Sequence, residues 1–453
     1  MRTSQMISIG TLLISSCSWA GPSKPNPNET AQSQAPGLIE GQSLNASITQ
    51  YFIQDDAKRN TFYPVPKEGG RYIEHQDKTQ GWLQGNIINY TSGYTQGDVG
   101  FAFEVAGYNE IALSRGHGTL AGGGDRTLRD SEGDAVGQWS KLGLANLKLR
   151  ASNTVLTLGR QNMATPQVAT NSSTRALPSS FSGLSLRSTE LKGMAIDLAT
   201  FDRALPRTEQ STSRFFSDSG IKSVSSDRVS TAGVSWGYDS EELKLYSTTL
   251  EDFWRQDYLN IIHRSQFSDA LGINTSLNFY RTREQGDAKL ASIDNNAYSL
   301  AITLNYLGHS LLGSWQHIDG NEPFDYIRET NGSLLTSTSK ADFNGPNETS
   351  LKLAYTLDSA MHGLPGLKTT LYVTRGWGVD GTHYQGEGYT SYLNVKDARQ
   401  AESGVLLTYV VQSGRFANSM GLANFLVHRS TGNHPAGNFN ELRFMLRMPF
   451  KLL

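Results

Sequence analysis

Residues 440–453 read Asn440-Glu-Leu-Arg-Phe-Met-Leu-Arg-Met-Pro-Phe-Lys-Leu-Leu453. Extended, the stretch sets Leu442, Phe444, Leu446, Met448 and Phe450 on one face and Arg443, Met445, Arg447 and Lys451 on the other, because strand side chains alternate with a period of two. A strand with an apolar face and a cationic face separates a greasy medium from a wet one. If the greasy medium is lipid and the wet one a lumen, the chain is a wall around a hole, and its function is what the hole admits.

The same alternation recurs upstream. Tyr298, Leu300, Ile302, Leu304 and Tyr306 oppose Ser299, Ala301, Thr303 and Asn305; Leu351, Leu353, Tyr355 and Leu357 oppose Lys352, Ala354, Thr356 and Asp358. Val405, Leu407, Tyr409 and Val411 oppose Leu406, Thr408, Val410 and Gln412, and Leu271, Ile273, Leu277 and Phe279 oppose Gly272, Asn274, Ser276 and Asn278. Together these repeat the pattern of dyad strands of about ten residues between turns. A soluble β-sandwich or propeller also alternates, but its core needs more bulk than an inner set of mostly Ser, Thr, Asn, Ala, Lys and Asp. Tyrosines closing a strand, as at Tyr298 and Tyr306, suit the two membrane interfaces. Long polar loops (116–136, 205–229, 329–347 and 377–387) and short turns such as Tyr238-Asp239-Ser240 and 358–366 fit long extracellular loops and short periplasmic turns.

Composition agrees with a strand-rich envelope protein: 45 Gly, 19 Tyr, 18 Phe and 7 Trp, with 40 basic against 42 acidic residues. A net charge of −2 gives no reason to expect nucleic acid. Arg2, the apolar run Ile7 to Ile14 and Ser18-Trp19-Ala20 read as a signal peptide over residues 1–20. Ile14-Ser15-Ser16-Cys17 also resembles a loose lipoprotein box with Cys17 as the lipidated residue. Under cleavage after Ala20 the only cysteine leaves with the signal, so neither a disulfide nor a thiolate metal site is expected. No later run of 18 apolar residues exists that would make a transmembrane helix. Residues 21–36, rich in Pro, Asn, Ser and Gln, read as a disordered leader, and 37–453 as one barrel domain.

Enzymatic chemistry is thinly represented. Gly116-His-Gly-Thr-Leu-Ala121 is a degenerate GxGxxA followed by Gly-rich and acidic residues instead of a helix, which favours a loop. The nine histidines show no HExxH or paired-ligand spacing, and GxSxG is absent. A loop-plugged barrel acting as a surface-binding protein or hydrolase is the alternative to a channel, and solute flux separates the two.

Several words of the sequence, in order, carry a resemblance. They are Gly37-Leu-Ile-Glu-Gly, Thr79-Gln-Gly-Trp, Ser92-Gly-Tyr-Thr-Gln-Gly-Asp-Val-Gly-Phe, Leu250-Glu-Asp-Phe-Trp-Arg-Gln-Asp-Tyr-Leu-Asn and Phe279-Tyr-Arg-Thr-Arg. Pro323-Phe-Asp-Tyr-Ile, Asp342-Phe-Asn-Gly-Pro, Gly363-Leu-Pro-Gly-Leu and Tyr409-Val-Val-Gln-Ser-Gly follow. From about Gly37 to Leu453 the chain resembles the OprD family of substrate-specific outer-membrane porins. The resemblance implies an all-β fold, a transmembrane antiparallel β-barrel of 18 strands whose third extracellular loop folds inward. It implies a passive channel for small carboxylate-bearing nutrients and amino acids, some members admitting carbapenem antibiotics. No cofactor is implied; the partners are small solutes, outer-membrane lipid and lipopolysaccharide, and the barrel is a monomer or a homotrimer.

In that family a basic wall guides carboxylates past an acidic patch at the constriction. By resemblance Arg175, in Thr174-Arg-Ala-Leu-Pro-Ser, matches the constriction-loop arginine, Asp342 the acidic partner, Tyr326 a constriction tyrosine and Arg443 a ladder arginine. Lys148 and Arg150, inward by their alternation with Leu147 and Leu149, also match basic positions, and Arg447 returns a positive charge lower in the pore. Leu422, Asn424 and Asp55 stand where relatives carry basic residues, so the ladder is thinned. Lys148 and Arg150 could equally be halves of structural ion pairs, whereas motif context favours Arg175 and Asp342 as lining the constriction.

Overall fold

The computed structural model describes residues 30–59, 61–66, 73–114, 128–170, 175–431 and 433–453. The expected signal segment, Cys17 and the GxGxxA stretch lie outside these residues. Strand β1 (Ser43–Ala57) is followed by a small flap, β2 (Tyr63–Pro66) and β3 (Ile73–Gln76), and then by β4 (Lys78–Thr91), β5 (Val99–Ser114), β6 (Gln138–Ala151), β7 (Thr154–Gln161), β8 (Ser180–Ser188) and β9 (Met194–Leu205). The wall continues through β10 (Val229–Tyr238), β11 (Glu241–Leu250), β12 (Trp254–Gln266), β13 (Leu271–Glu284), β14 (Asp294–Tyr306) and β15 (His309–Asp319). It ends with β16 (Thr349–Asp358), β17 (Leu367–Val379), β18 (Ala398–Val410), β19 (Met420–Ser430) and β20 (Phe439–Lys451).

Eighteen of these strands form one antiparallel sheet. β1 pairs with β20 on one side, Phe52 opposite Phe444, and with β4 on the other, Phe52 opposite Trp82, so the sheet closes on itself. Closure satisfies the backbone without leaving an edge, which a hydrocarbon environment demands.

The dyad pattern sets the two faces as expected. On β20 Phe444 and Leu446 point outward, 46% and 41% exposed, while Arg443 and Met445 are buried on the inner side. Tyr298, Ile302, Leu304 and Tyr306 on β14 and Leu351, Leu353 and Tyr355 on β16 are outward and exposed. At one end the strands are joined by short turns such as 239–240 and 152–153, at the other by long loops such as 206–228 and 320–348.

Of the segment after β7, the described residues 175–179 fold inward. Ala176 and Leu177 pack in one apolar cluster with Tyr51 and Ile53 of β1, Leu83 of β4, Tyr108 of β5 and Met445 of β20, so the loop crosses from its own strands to a distant part of the wall. Gly85 provides its seat: a Cβ there would lie 2.7 Å from the Ala176 carbonyl oxygen. Residues 30–36, expected to belong to a disordered leader, form turns against the short-turn end instead. Buried Gln32 donates from Nε2 to the carbonyls of Thr95 and Gly97, and its backbone N–H donates to Ser152. A low-hydrophobicity segment is ordered here because its amide satisfies exposed turn carbonyls, a contact composition does not encode.

Because that loop rests on a bare glycine surface, Gly85→Val should unseat it at a cost of about 1–3 kcal/mol. The expected readout is a larger single-channel conductance with unaltered heat-modifiable migration of the folded barrel; unchanged conductance would show that the loop has another seat.

Candidate functional site: the narrowed lumen

The inward loops carry two clusters, joined by the segment Asp325–Glu329. On one side Tyr326 donates its hydroxyl to Asp342 Oδ2 at 2.8 Å, and the Asp218 backbone N–H donates to the Tyr326 carbonyl at 2.9 Å. Two acids therefore flank one tyrosine. Desolvation, with Asp218 adding to it against the Tyr326 hydrogen bond, pushes the Asp342 carboxyl up to about 6. The backbone around it is closely specified: Asn344 Nδ2 donates to the Phe324 carbonyl at 2.8 Å, the Phe324 N–H donates back to the Asn344 carbonyl, and Phe343 is held at a φ of 53°. A bulky residue in that region costs roughly 1–2 kcal/mol, which the fully buried Phe343 ring and the Gln316 Nε2 bond to its carbonyl at 2.7 Å offset. Asp325 completes the frame: Oδ2 accepts from Trp254 Nε1 at 2.8 Å and from the Tyr389 hydroxyl at 3.1 Å, and Oδ1 accepts from the Ser219 N–H. These contacts tie three loops to β12.

On the other side Arg207 Nε donates to Glu329 Oε2 at 2.7 Å, and the Ser179 hydroxyl donates to the Glu329 carbonyl. Buried Arg175 belongs here. It shares the electrostatic neighbourhood of Glu110, on the inner face of β5, with Lys141 and Arg207. Lys141 Nζ is held by the carbonyls of Pro206 and Glu209 at 2.6 and 2.7 Å.

The wall cations behave differently from one another. Lys148 ion-pairs with Glu104 at 2.9 Å. Arg150 sits near the short turns, its Nε donating to Gln32 and its guanidinium 3.8 Å from the Tyr94 ring centre. Arg447 donates from Nε to Thr49 Oγ1 at 3.3 Å and is half-buried. Arg443 is held by Glu441 at 2.5 Å and donates to the Ser339 carbonyl of the loop before β16. Asp55, where a basic residue was expected, pairs with Lys340 of that same loop at 3.1 Å, and Lys340 also reaches Glu441 at 3.2 Å. Four charges, two of each sign, thus clamp the loop to the wall. The structure joins Tyr326 to Asp342 by a hydrogen bond and sets Arg175 in the neighbourhood of Glu110. Glu441 was legible, since it shares the inward face of Arg443; Asp218 and Lys340 lie in irregular loops where no period marks them.

The sequence profile of the OprD family, described as outer membrane porin, matches residues 36–452. The chain belongs to the OprD family of outer-membrane porins. It is 30% identical over 435 residues to Porin D of Pseudomonas aeruginosa, covering 93% of this chain and 94% of that protein. The porin-like protein GalP of Pseudomonas putida is 26% identical over 386 residues, 83% of this chain and 87% of that one. Among solved structures, Pseudomonas aeruginosa OccD3 (OpdP) superposes with a TM-score of 0.81 at 34% identity, covering 93% and 94% of the two chains. Pseudomonas aeruginosa OprD superposes with a TM-score of 0.77 at 26% identity, covering 93% and 98%. The protein is therefore a bacterial outer-membrane β-barrel, with OprD-family long loops outside the cell and short turns in the periplasm.

The acids carried on the inward loops make the charge there follow pH. Asp342 loses its charge as pH falls through about 6. Cation-over-anion permeability should fall between pH 7 and 5, and Asp342→Asn should flatten the profile. A wild-type profile flat over that range would remove Asp342 from the ion path. Lys340→Met leaves Asp55 and Glu441, 1% and 0% exposed, without their shared cation. It should destabilise the barrel by about 3–5 kcal/mol, read as a lower temperature of heat-modified migration.

Proposed function

We propose that the channel passes small carboxylate-bearing solutes, amino acids among them, down their gradients. The observation that carries this reading is the Tyr326–Asp342 pair with Asp218 beside it, held on inward loops within a wall whose inner face bears Lys148, Arg150, Arg443 and Arg447. In a narrow, weakly screened channel opposed charges set up a transverse field that orients a dipolar solute and replaces part of its hydration.

Binding is weak by construction. Lys148 and Arg443 already carry carboxylate partners, so an entering anion competes with Glu104 and Glu441 for them. Arg175 supports the same layout through its cluster with Glu110, by fixing the loop that narrows the lumen. Partial neutralisation favours transit over retention: a site must attract enough to admit and release quickly enough to conduct. The relatives are porins, and no chemical step is needed for this role. Carbapenem-type antibiotics, which also carry a carboxylate, fall within the same class of permeant.

A liposome-swelling panel of carboxylates, amino acids and neutral sugars tests the reading. Carboxylate-bearing solutes should enter faster than neutral sugars of equal size, and Arg447→Ala should slow anionic solutes more than neutral ones. Equal rates across the panel would end the selectivity claim, and sealed liposomes at adequate insertion would end the transport claim.

A further inference from the structure

On the loop side, the outward face of the barrel carries charged side chains above its apolar belt. Over β12 to β14 they neutralise one another: Arg255 pairs with Asp257 at 3.1 Å and Arg281 with Asp294 at 2.5 Å. Over β17 to β19 they do not. Arg375 stands between buried Thr374 and Gly376, Arg399 between buried Ala398 and Gln400, and Arg429 follows buried His428, so all three arginines point away from the lumen.

Register gathers them. Ala401 of β18 stands opposite Arg375 of β17 and opposite Arg429 of β19, which sets the two arginine Cα atoms about 10 Å apart across one strand. Arg399 lies two residues further up β18 on the same face, about 7 Å from Ala401. Ala401 places only a methyl group between the three long side chains, which can therefore converge on one point.

Their charge is poorly compensated. Among the described residues the exposed Arg375 side chain makes neither a hydrogen bond nor an ion pair, and the Arg399 side chain reaches only Asp397, at 3.7 Å. Arg429 is anchored by neutral groups, the carbonyls of His428 and Phe439 at 2.7 and 2.8 Å and Asn440 Oδ1 at 2.9 Å, and Arg59 adds a further positive charge beside it. Like charges this close repel, and an anion from outside relieves them. The next outward row toward the periplasm is Val373, Ser403 and Val427, without charge. Further down the same face Leu407, Tyr409, Gly421, Ala423 and Phe444 line an external groove of about 620 Å³.

We propose that Arg375, Arg399 and Arg429 bind a phosphate group of the phosphorylated glycolipid of the outer leaflet, lipopolysaccharide, with an acyl chain laid down the β17–β19 face toward the groove. Location limits the occupant: the loop-side ends of the strands lie at the outer surface, so an outward side chain there meets outer-leaflet lipid. Charge then selects among lipids. A phosphate monoester carries about −1.5 to −2 at pH 7 and three acceptor oxygens, which suits three guanidinium forks, whereas a phosphodiester headgroup brings a single charge. Ala401 to Leu407 spans about 20 Å of strand, within reach of an acyl chain whose headgroup sits on the arginines. A free phosphate would satisfy the arginines and make no use of the groove. The site is separate from the lumen, so it stands whatever solute the channel passes.

The test uses the full chain in phosphatidylcholine nanodiscs, with EDTA present so that no divalent cation bridges lipid phosphate to Asp397. Native mass spectrometry with added diphosphoryl lipid A should show the lipid retained on the barrel, and dephosphorylated lipid A should be retained about tenfold less. That comparison needs no variant. The double variant Arg375→Gln, Arg429→Gln should lower retention of the diphosphoryl lipid by about tenfold, whereas Arg255→Gln, Arg281→Gln, the same charge change in the ion-paired sector, should leave it at the wild-type level. Unaltered single-channel conductance and heat-modified migration show that both variants fold. Equal retention of the two lipids by the wild type, or retention of neither, overturns the proposal. So do equal losses in the two double variants, and displacement of lipid A by phosphatidylglycerol or by inorganic phosphate at equal concentration, the last of which would mark a site for a free anion.

Discussion

The whole molecule depends on one pairing, that of β1 with β20. In hydrocarbon every backbone N–H and C=O must find its partner within the protein, and an eighteen-stranded sheet does so only when its first and last wall strands meet. Once it closes, the period of two decides everything radial: each strand has one face for lipid and one for the lumen. The inner face is then free to be polar, and the inward loops pack against it.

Narrowing that interior is the work of the loops, and it is done with ordinary core chemistry. Leu177 and Ala176 press on Tyr51, Leu83 and Tyr108, and Asp325 gathers Trp254, Tyr389 and Ser219. The charges at the wall serve two ends at once. Lys340, Asp55, Glu441 and Arg443 hold a loop in place, and the same groups set the potential that a solute meets. A substitution there alters geometry and field together, which is why cations in such a pore cannot be read as a simple ladder.

The fold was legible because alternation is a local property. Leu442 to Phe450 against Arg443 to Arg447 already contains the two media, and the same signal at Tyr298–Tyr306 and Leu351–Leu357 extends it around the ring. The candidate residues came from matched words and not from any period, and words carry no contacts: Tyr326 meets Asp342, whereas Arg175 lies near Glu110. The Asp55–Lys340 pair joins residues far apart in the chain, and nothing in a one-dimensional pattern specifies such a contact. Composition misjudged residues 30–36 for a related reason: its few polar atoms matter by where they land.

That N-terminal turn has a mechanical consequence. Gln32 grips the turn between β4 and β5 through Thr95 and Gly97, and the turn between β6 and β7 through Ser152, so one residue clasps two neighbouring hairpins. Fraying of either hairpin must break the clasp as well, which couples their opening and makes the inner-side rim yield as a unit instead of strand by strand.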